Sequence, residues 1–163
     1  MKTSVLVAAG LLWAGAASAQ TVPAAERQAL ATQLNQLLRD PKKPQQEVTV
    51  ALAGCRFQQT IRDRQADVET SQPIAVSVSK GNSDWSVNVD NGFFEMKMGF
   101  EWSQVTELGY RRADDGPRYF ELRVKRRTKN SSLTNEMTLH TTDEAVVKSL
   151  VARLERLRRG CGE

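Results

Sequence analysis

The chain has a single histidine, so no site built on paired imidazoles is open to it. Cysteine is almost as scarce. Cys55 and Cys161 are the only two, and no C-x-x-C spacing marks a redox or zinc motif. No G-x-x-x-x-G-K or G-x-G-x-x-G run cradles a phosphate, and no G-x-S-x-G frames a nucleophilic serine. Beyond the first twenty residues no long apolar run occurs, which leaves no membrane-spanning helix to expect. With these absences neither a metal nor a cofactor is expected. What is present is ordinary for a globular domain. Apolar residues make 40% of the chain and charged ones 26%, with negative mean hydropathy, which excludes disordered, collagenous and membrane-bundle classes.

The opening residues read differently from the rest. Met1 and Lys2 give a short positive start, Ser4 to Gly15 is apolar, and Ala17-Ser18-Ala19 has small-x-small form. That pattern predicts a secretory signal peptide over residues 1–19, too short to serve as a membrane span. No cysteine follows it to carry a lipid anchor. Removing 19 of 163 residues leaves 144, enough for one domain, and takes the net charge from +4 to +3. A periplasmic or secreted location follows as an expectation. In an oxidising compartment Cys55 and Cys161, 106 positions apart, are expected to form a disulfide. Closing a loop of that size is worth about 4–5 kcal/mol in the chain-entropy model.

Residues 20–46 read as a helix and linker. Thr21 is the expected N-cap with Pro23 in the first turn, and Leu30, Leu34, Leu37 and Leu38 recur at helical spacing up to Asp40-Pro41. Residues 47–163 form the expected sheet domain. Val48, Val50 and Leu52 alternate, Gly54 marks a bend, and Cys55, Phe57 and Ile61 carry an apolar face onward. Arg62 to Gln72 is charged and without period, which predicts a loop.

Two stretches specify their own strand registers. A two-residue turn at Gly81-Asn82 sets Val78 opposite Trp85, Val76 opposite Val87 and Ile74 opposite Val89. A second at Asn91-Gly92 sets Val89 opposite Phe94, Val87 opposite Met96 and Trp85 opposite Met98. Every pair is apolar on apolar, and a one-residue slip would turn the whole set to the other face. A turn at Lys129-Asn130 likewise pairs Leu122 with Met137, Phe120 with Leu139, Arg123 with Glu136 and Tyr119 with His140. Val105 to Arg112 predicts a further strand, turning through Asp114-Asp115-Gly116-Pro117, and Trp102 has no assigned place.

A helix closes the chain. Thr141-x-x-Glu144 has capping-box form, Val147, Leu150, Val151, Leu154 and Leu157 make one apolar stripe, and Gly160 suits the C-cap. The expected architecture is α+β: an antiparallel β-meander of six or seven strands, curved or a half-open barrel, with an N-terminal helix and a C-terminal covering helix. In order of elements it is similar to pleckstrin-homology-like barrels. Cys55, sharing parity with Phe57, is expected to face the covering helix and so to meet Cys161.

Catalysis finds little footing. His140 falls on the polar face by parity, where a solvated strand-end role is expected; a small hydrolase using His140 would need a nucleophile that no motif supplies. The basic residues give the principal functional lead. Arg111, Arg112, Arg118, Arg123, Lys125 and Arg127 gather on two adjacent strands and their loops, with Tyr119 on the same face as Arg123. Such a face could attract an anionic envelope component or a protein partner, nucleic acid being an improbable partner for an exported chain. The competing expectation is that Glu121 and Glu136 pair with these cations. A second lead is apolar: Phe94, Met96, Met98, Phe100 and Met137 form a soft surface suited to a lipid or other hydrophobic ligand, or to plain core packing. The expected function is that of an exported, non-enzymatic binding or accessory protein of the cell envelope, with a periplasmic carrier of hydrophobic ligands as the alternative.

Overall fold

The computed structural model describes residues 22–80, 83–114, 119–128 and 131–162. The expected leader, Thr21, the Gly81-Asn82 and Lys129-Asn130 turns, Asp115-Gly116-Pro117 and Arg118 lie outside these residues.

Helix α1 spans Ala24–Leu38, with Pro23 at the N-cap and no side-chain cap. Pro23 therefore stands just before the helix rather than inside its first turn. Its lost N–H removes nothing there, since the first amides of a helix have no intrahelical partner. Leu30, Leu34 and Leu38 are buried along one face. The helix ends at Leu38, ahead of Asp40-Pro41, and strand β1 (Gln46–Ala53) follows. Gly54, with φ of 59°, and Cys55 turn the chain into β2 (Arg56–Asp63). Residues 64–73 are irregular and fold over the β4–β5 turn, where Ala66 N donates to Gly92 O and Gly92 N to Val68 O, both at 3.1 Å. Strands β3 (Ile74–Lys80), β4 (Ser83–Asp90) and β5 (Phe93–Glu101) form the meander, and all six apolar pairs occur in the expected register.

These strands belong to a larger sheet in the order β1-β2-β5-β4-β3, in which β2 pairs with β5 and sets Phe57 beside Phe100. Trp102 begins a single 3-10 turn over Trp102–Gln104, is 1% exposed, and meets both phenylalanine rings edge-on. It fills the corner where the chain leaves the first sheet. Strands β6 (Val105–Arg112), β7 (Phe120–Arg127) and β8 (Ser132–Leu139) make a second sheet in chain order. Leu122 pairs with Met137, Phe120 with Leu139 and Arg123 with Glu136. The architecture is α+β with a helix at each end, as expected; its eight described strands are antiparallel and divided between two sheets, which do not close into a barrel.

Helix α2 (Glu144–Arg159) buries Val147, Leu150, Leu154 and Leu157 in the same core that α1 and both sheets enter. Its N-cap is Asp143 and not Thr141. The Asp143 carboxylate accepts from Ala145 N at 2.8 Å and Val146 N at 3.3 Å, while Thr141 Oγ1 accepts from Asp143 N at 3.2 Å. A carboxylate beside the positive end of the helix displaces the hydroxyl from that role. At the far end Cys161 is joined to Cys55, with the two Cα atoms 5.5 Å apart. The bond ties the tip of the β1–β2 hairpin to the end of α2.

Candidate functional site

The outer face of the three-stranded sheet carries the basic residues singled out above. Arg111 meets Asp114 at 2.6 Å and Glu121 at 2.7 Å, with Glu136 at 3.6 Å. Arg123 bonds Glu136 at 2.9 Å, and Lys125 lies 3.6 Å from Glu107. Hydrogen bonding to Asp114 holds the Arg111 guanidinium above its ordinary value. Arg112 has the opposite parity and reaches Glu144 of α2 at 3.4 Å while lying over the Phe120 ring. Arg127 is exposed and makes no ion pair among the described residues. Among the described residues Arg111, Arg123, Lys125 and Arg127 thus share their face with Glu107, Asp114, Glu121 and Glu136, four charges against four. An interleaved face of this kind has little net field to attract an anion.

The inner face of the five-stranded sheet is built differently. Near β1 and β2 it is covered: Val50, Leu52, Phe57 and Phe100 are buried. Toward β3 the cover ends. Ile74, Val76 and Val78 stay 46–52% exposed and Trp85 41%, an apolar patch with nothing over it among the described residues. Where the cover stops, a groove of about 460 Å³ opens. Its floor holds Val48, Ile61, Met96, Met98 and Trp85, all on one face by register. Its wall is β8. Residues 135 to 138 all line it, and because both parities are represented the groove runs along the strand's unpaired edge. Of the five residues in the apolar lead, Met96, Met98 and Met137 line this groove, Phe100 is core, and Phe94 is half-buried on the same face. A volume of this size falls within the range of small-ligand sites.

Gln59 and Arg126 escaped sequence reasoning, and His140 was placed in the wrong surroundings. Gln59 breaks the apolar alternation of β2 and is only 6% exposed, between Val50 and Met98. Its side chain lines the groove and has no hydrogen-bond partner among the described residues. His140 is not a solvated strand end. Its side chain is 13% exposed, its ring meets Tyr119 edge-on at 4.9 Å, and its backbone N–H donates to Leu37 O at 2.6 Å. The expected Tyr119–His140 neighbourhood is real, but the end of α1 closes over it. His140 Nδ1 is buried 4.0 Å from Asp40 Oδ1. Behind the groove Arg126, 4% exposed, stacks on Phe100 at 4.7 Å and donates to Asn135 Oδ1, while Asn135 Nδ2 contacts Met98 Sδ at 2.9 Å. Burial pushes the Arg126 guanidinium down from its ordinary value. The one sequence signal for Gln59 and Arg126 was parity, since each sits in a row of core residues.

Among the described residues no group of three His, Cys, Asp or Glu side chains is placed to hold a metal ion. No helix among them is long and apolar enough to cross a membrane. Comparison with family models, with curated proteins and with solved structures finds no match to this chain.

Proposed function

We propose that the chain is an exported, non-enzymatic binding protein of the cell envelope and that it binds through the open apolar groove. The observation that carries this reading is the uncovered inner face: Ile74, Val76, Val78 and Trp85 stay exposed beside a groove floored by methionines. Contiguous apolar surface is costly to leave in water, and where it persists it marks a binding surface. Methionine side chains suit such a floor because they re-pack around varied apolar shapes. Export is supported by the leader pattern and by the Cys55–Cys161 bond, which an oxidising compartment maintains. The compensated charge of the outer basic face moves the functional reading away from it.

The test uses protein recovered from the exported fraction of expressing cells, whose first residue is expected to be Gln20. It is titrated with a solvatochromic apolar dye. Saturable binding is expected, weakened about tenfold or more by Met96→Asp and unchanged when Arg123, Lys125 and Arg127 become Glu. Absence of saturable binding, or salt-sensitive binding abolished by the triple charge reversal, would return the function to the basic face.

A further inference from the structure

We infer that the occupant of the groove is an extended polypeptide segment, added as a strand along the unpaired edge of β8; the inference rests on the groove being the binding site. Three observations converge on this chemistry. The first is the wall. Residues 135–138 border the groove along the side of β8 that pairs with no strand, so backbone donors and acceptors face the space. A second main chain matches that alternating row of donors and acceptors, and an acyl chain does not.

The second is the floor. Gln59 presents a carboxamide without a protein partner, 6% exposed, in the middle of Met98, Ile61 and Val48. An amide open to a groove keeps its hydrogen bonds with water until an occupant displaces that water, and it offers one acceptor and a donor pair that the occupant must then meet. A peptide group returns both kinds of bond at once. The apolar positions around it then receive alternate side chains of the incoming strand, with the spacing of two residues that a strand presents.

The third is charge. Asp40 and Glu136 line the groove, and no lysine or arginine does so among the described residues. An anionic headgroup finds no cation there, whereas a neutral or lysine-bearing segment meets the Asp40 carboxylate at the rim, Glu136 being already paired with Arg123. A lipid satisfies the floor alone; an extended peptide satisfies floor, wall and rim.

The experiment displaces the apolar dye from the full oxidised protein with three probes. One is a ten-residue peptide alternating Val and Thr with lysine at each end. The next is a pair of counterparts N-methylated at alternate residues along one edge or the other. The last is palmitate. The parent peptide is expected to displace the dye, one N-methylated counterpart to bind at least tenfold more weakly, and the other to match the parent. Gln59→Leu is expected to weaken the parent peptide about three- to tenfold, and bound peptide to slow hydrogen exchange at the β8 amides that point away from β7. If palmitate displaces the dye and the peptide does not, the peptide assignment is overturned and the groove remains a binding site. Equal behaviour of the two methylated peptides, whether both bind or both fail, also overturns it. If nothing binds, dye included, both readings fall together.

Discussion

Asp143, Gln59 and Glu95 are three residues whose roles come from what stands beside them in space. Glu95 faces outward on β5, where Lys97 Nζ bonds it at 2.8 Å and Arg62 reaches it from β2. Hydrogen bonding from Lys97 first, then from Arg62, holds its carboxyl below the ordinary glutamate range. Glu144 is lowered by Lys148 and then by Tyr110, and Glu155 first by Arg158, which donates at 2.8 Å. A carboxylate with a depressed folded value adds stability that is complete above its unfolded value, about 4.3, and is lost as the pH falls through the folded one. Thermal midpoints are therefore expected to hold level from pH 7 down to about 5 and to drop below about 4.3, and Glu95→Gln is expected to shallow that drop. Melts followed by circular dichroism check it, and a midpoint unchanged down to pH 2.5 would refute it. At this scale the sequence was only partly legible. The pairing of Arg123 with Glu136 followed from strand register. The pairing of Arg62 with Glu95 needed β2 beside β5, which nothing local specifies.

The hairpins and the closing helix show how far one element can be read by itself. Antiparallel registers across short turns are local: turn position and side-chain parity decide them together, so Val76 could only meet Val87 with its apolar face intact. The start of α2 was less transparent, because Thr141 and Asp143 both satisfy the composition of a cap and only the backbone chooses. The structure gives Asp143 the two amide bonds, with φ of −88° at that residue. Asp143→Ala is expected to cost about 1 kcal/mol, and Thr141→Ala measurably less. Urea denaturation of both variants decides between the caps, and a larger loss at Thr141 would restore the capping box. Pairing between non-consecutive strands stayed invisible. Alternation in β2 and β5 states which face is apolar and says nothing about which strand lies alongside.

For the molecule as a whole, the disulfide and the groove depend on the same arrangement. Both helices and both sheets share one buried cluster, and Cys161 packs against it from the end of α2. Joining it to Cys55 closes a loop across a separation of 106 residues. Replacing both cysteines by serine is expected to lower unfolding free energy by about 2–5 kcal/mol, with the chain-entropy value near the upper end. Guanidinium titrations of the oxidised protein and the double variant measure the difference; equal midpoints would show that the bond adds nothing. Because neither cysteine lines the groove, the double variant is expected to retain dye binding wherever it is folded.

The sequence by itself determined the element types, the two sets of hairpin registers and the pairing of the only two cysteines. Each follows from spacing along the chain: a period of two, a period of 3.6, a two-residue turn, or an even count of thiols. Tertiary structure alone decided that five strands continue past their cover and leave Ile74, Val76, Val78 and Trp85 bare. It alone also set the β8 edge over the methionines and paired Arg111, Arg123 and Lys125 with carboxylates. An apolar stripe has the same sequence whether another layer covers it or water does, so only the packing of the second sheet and the helices could tell core from binding surface.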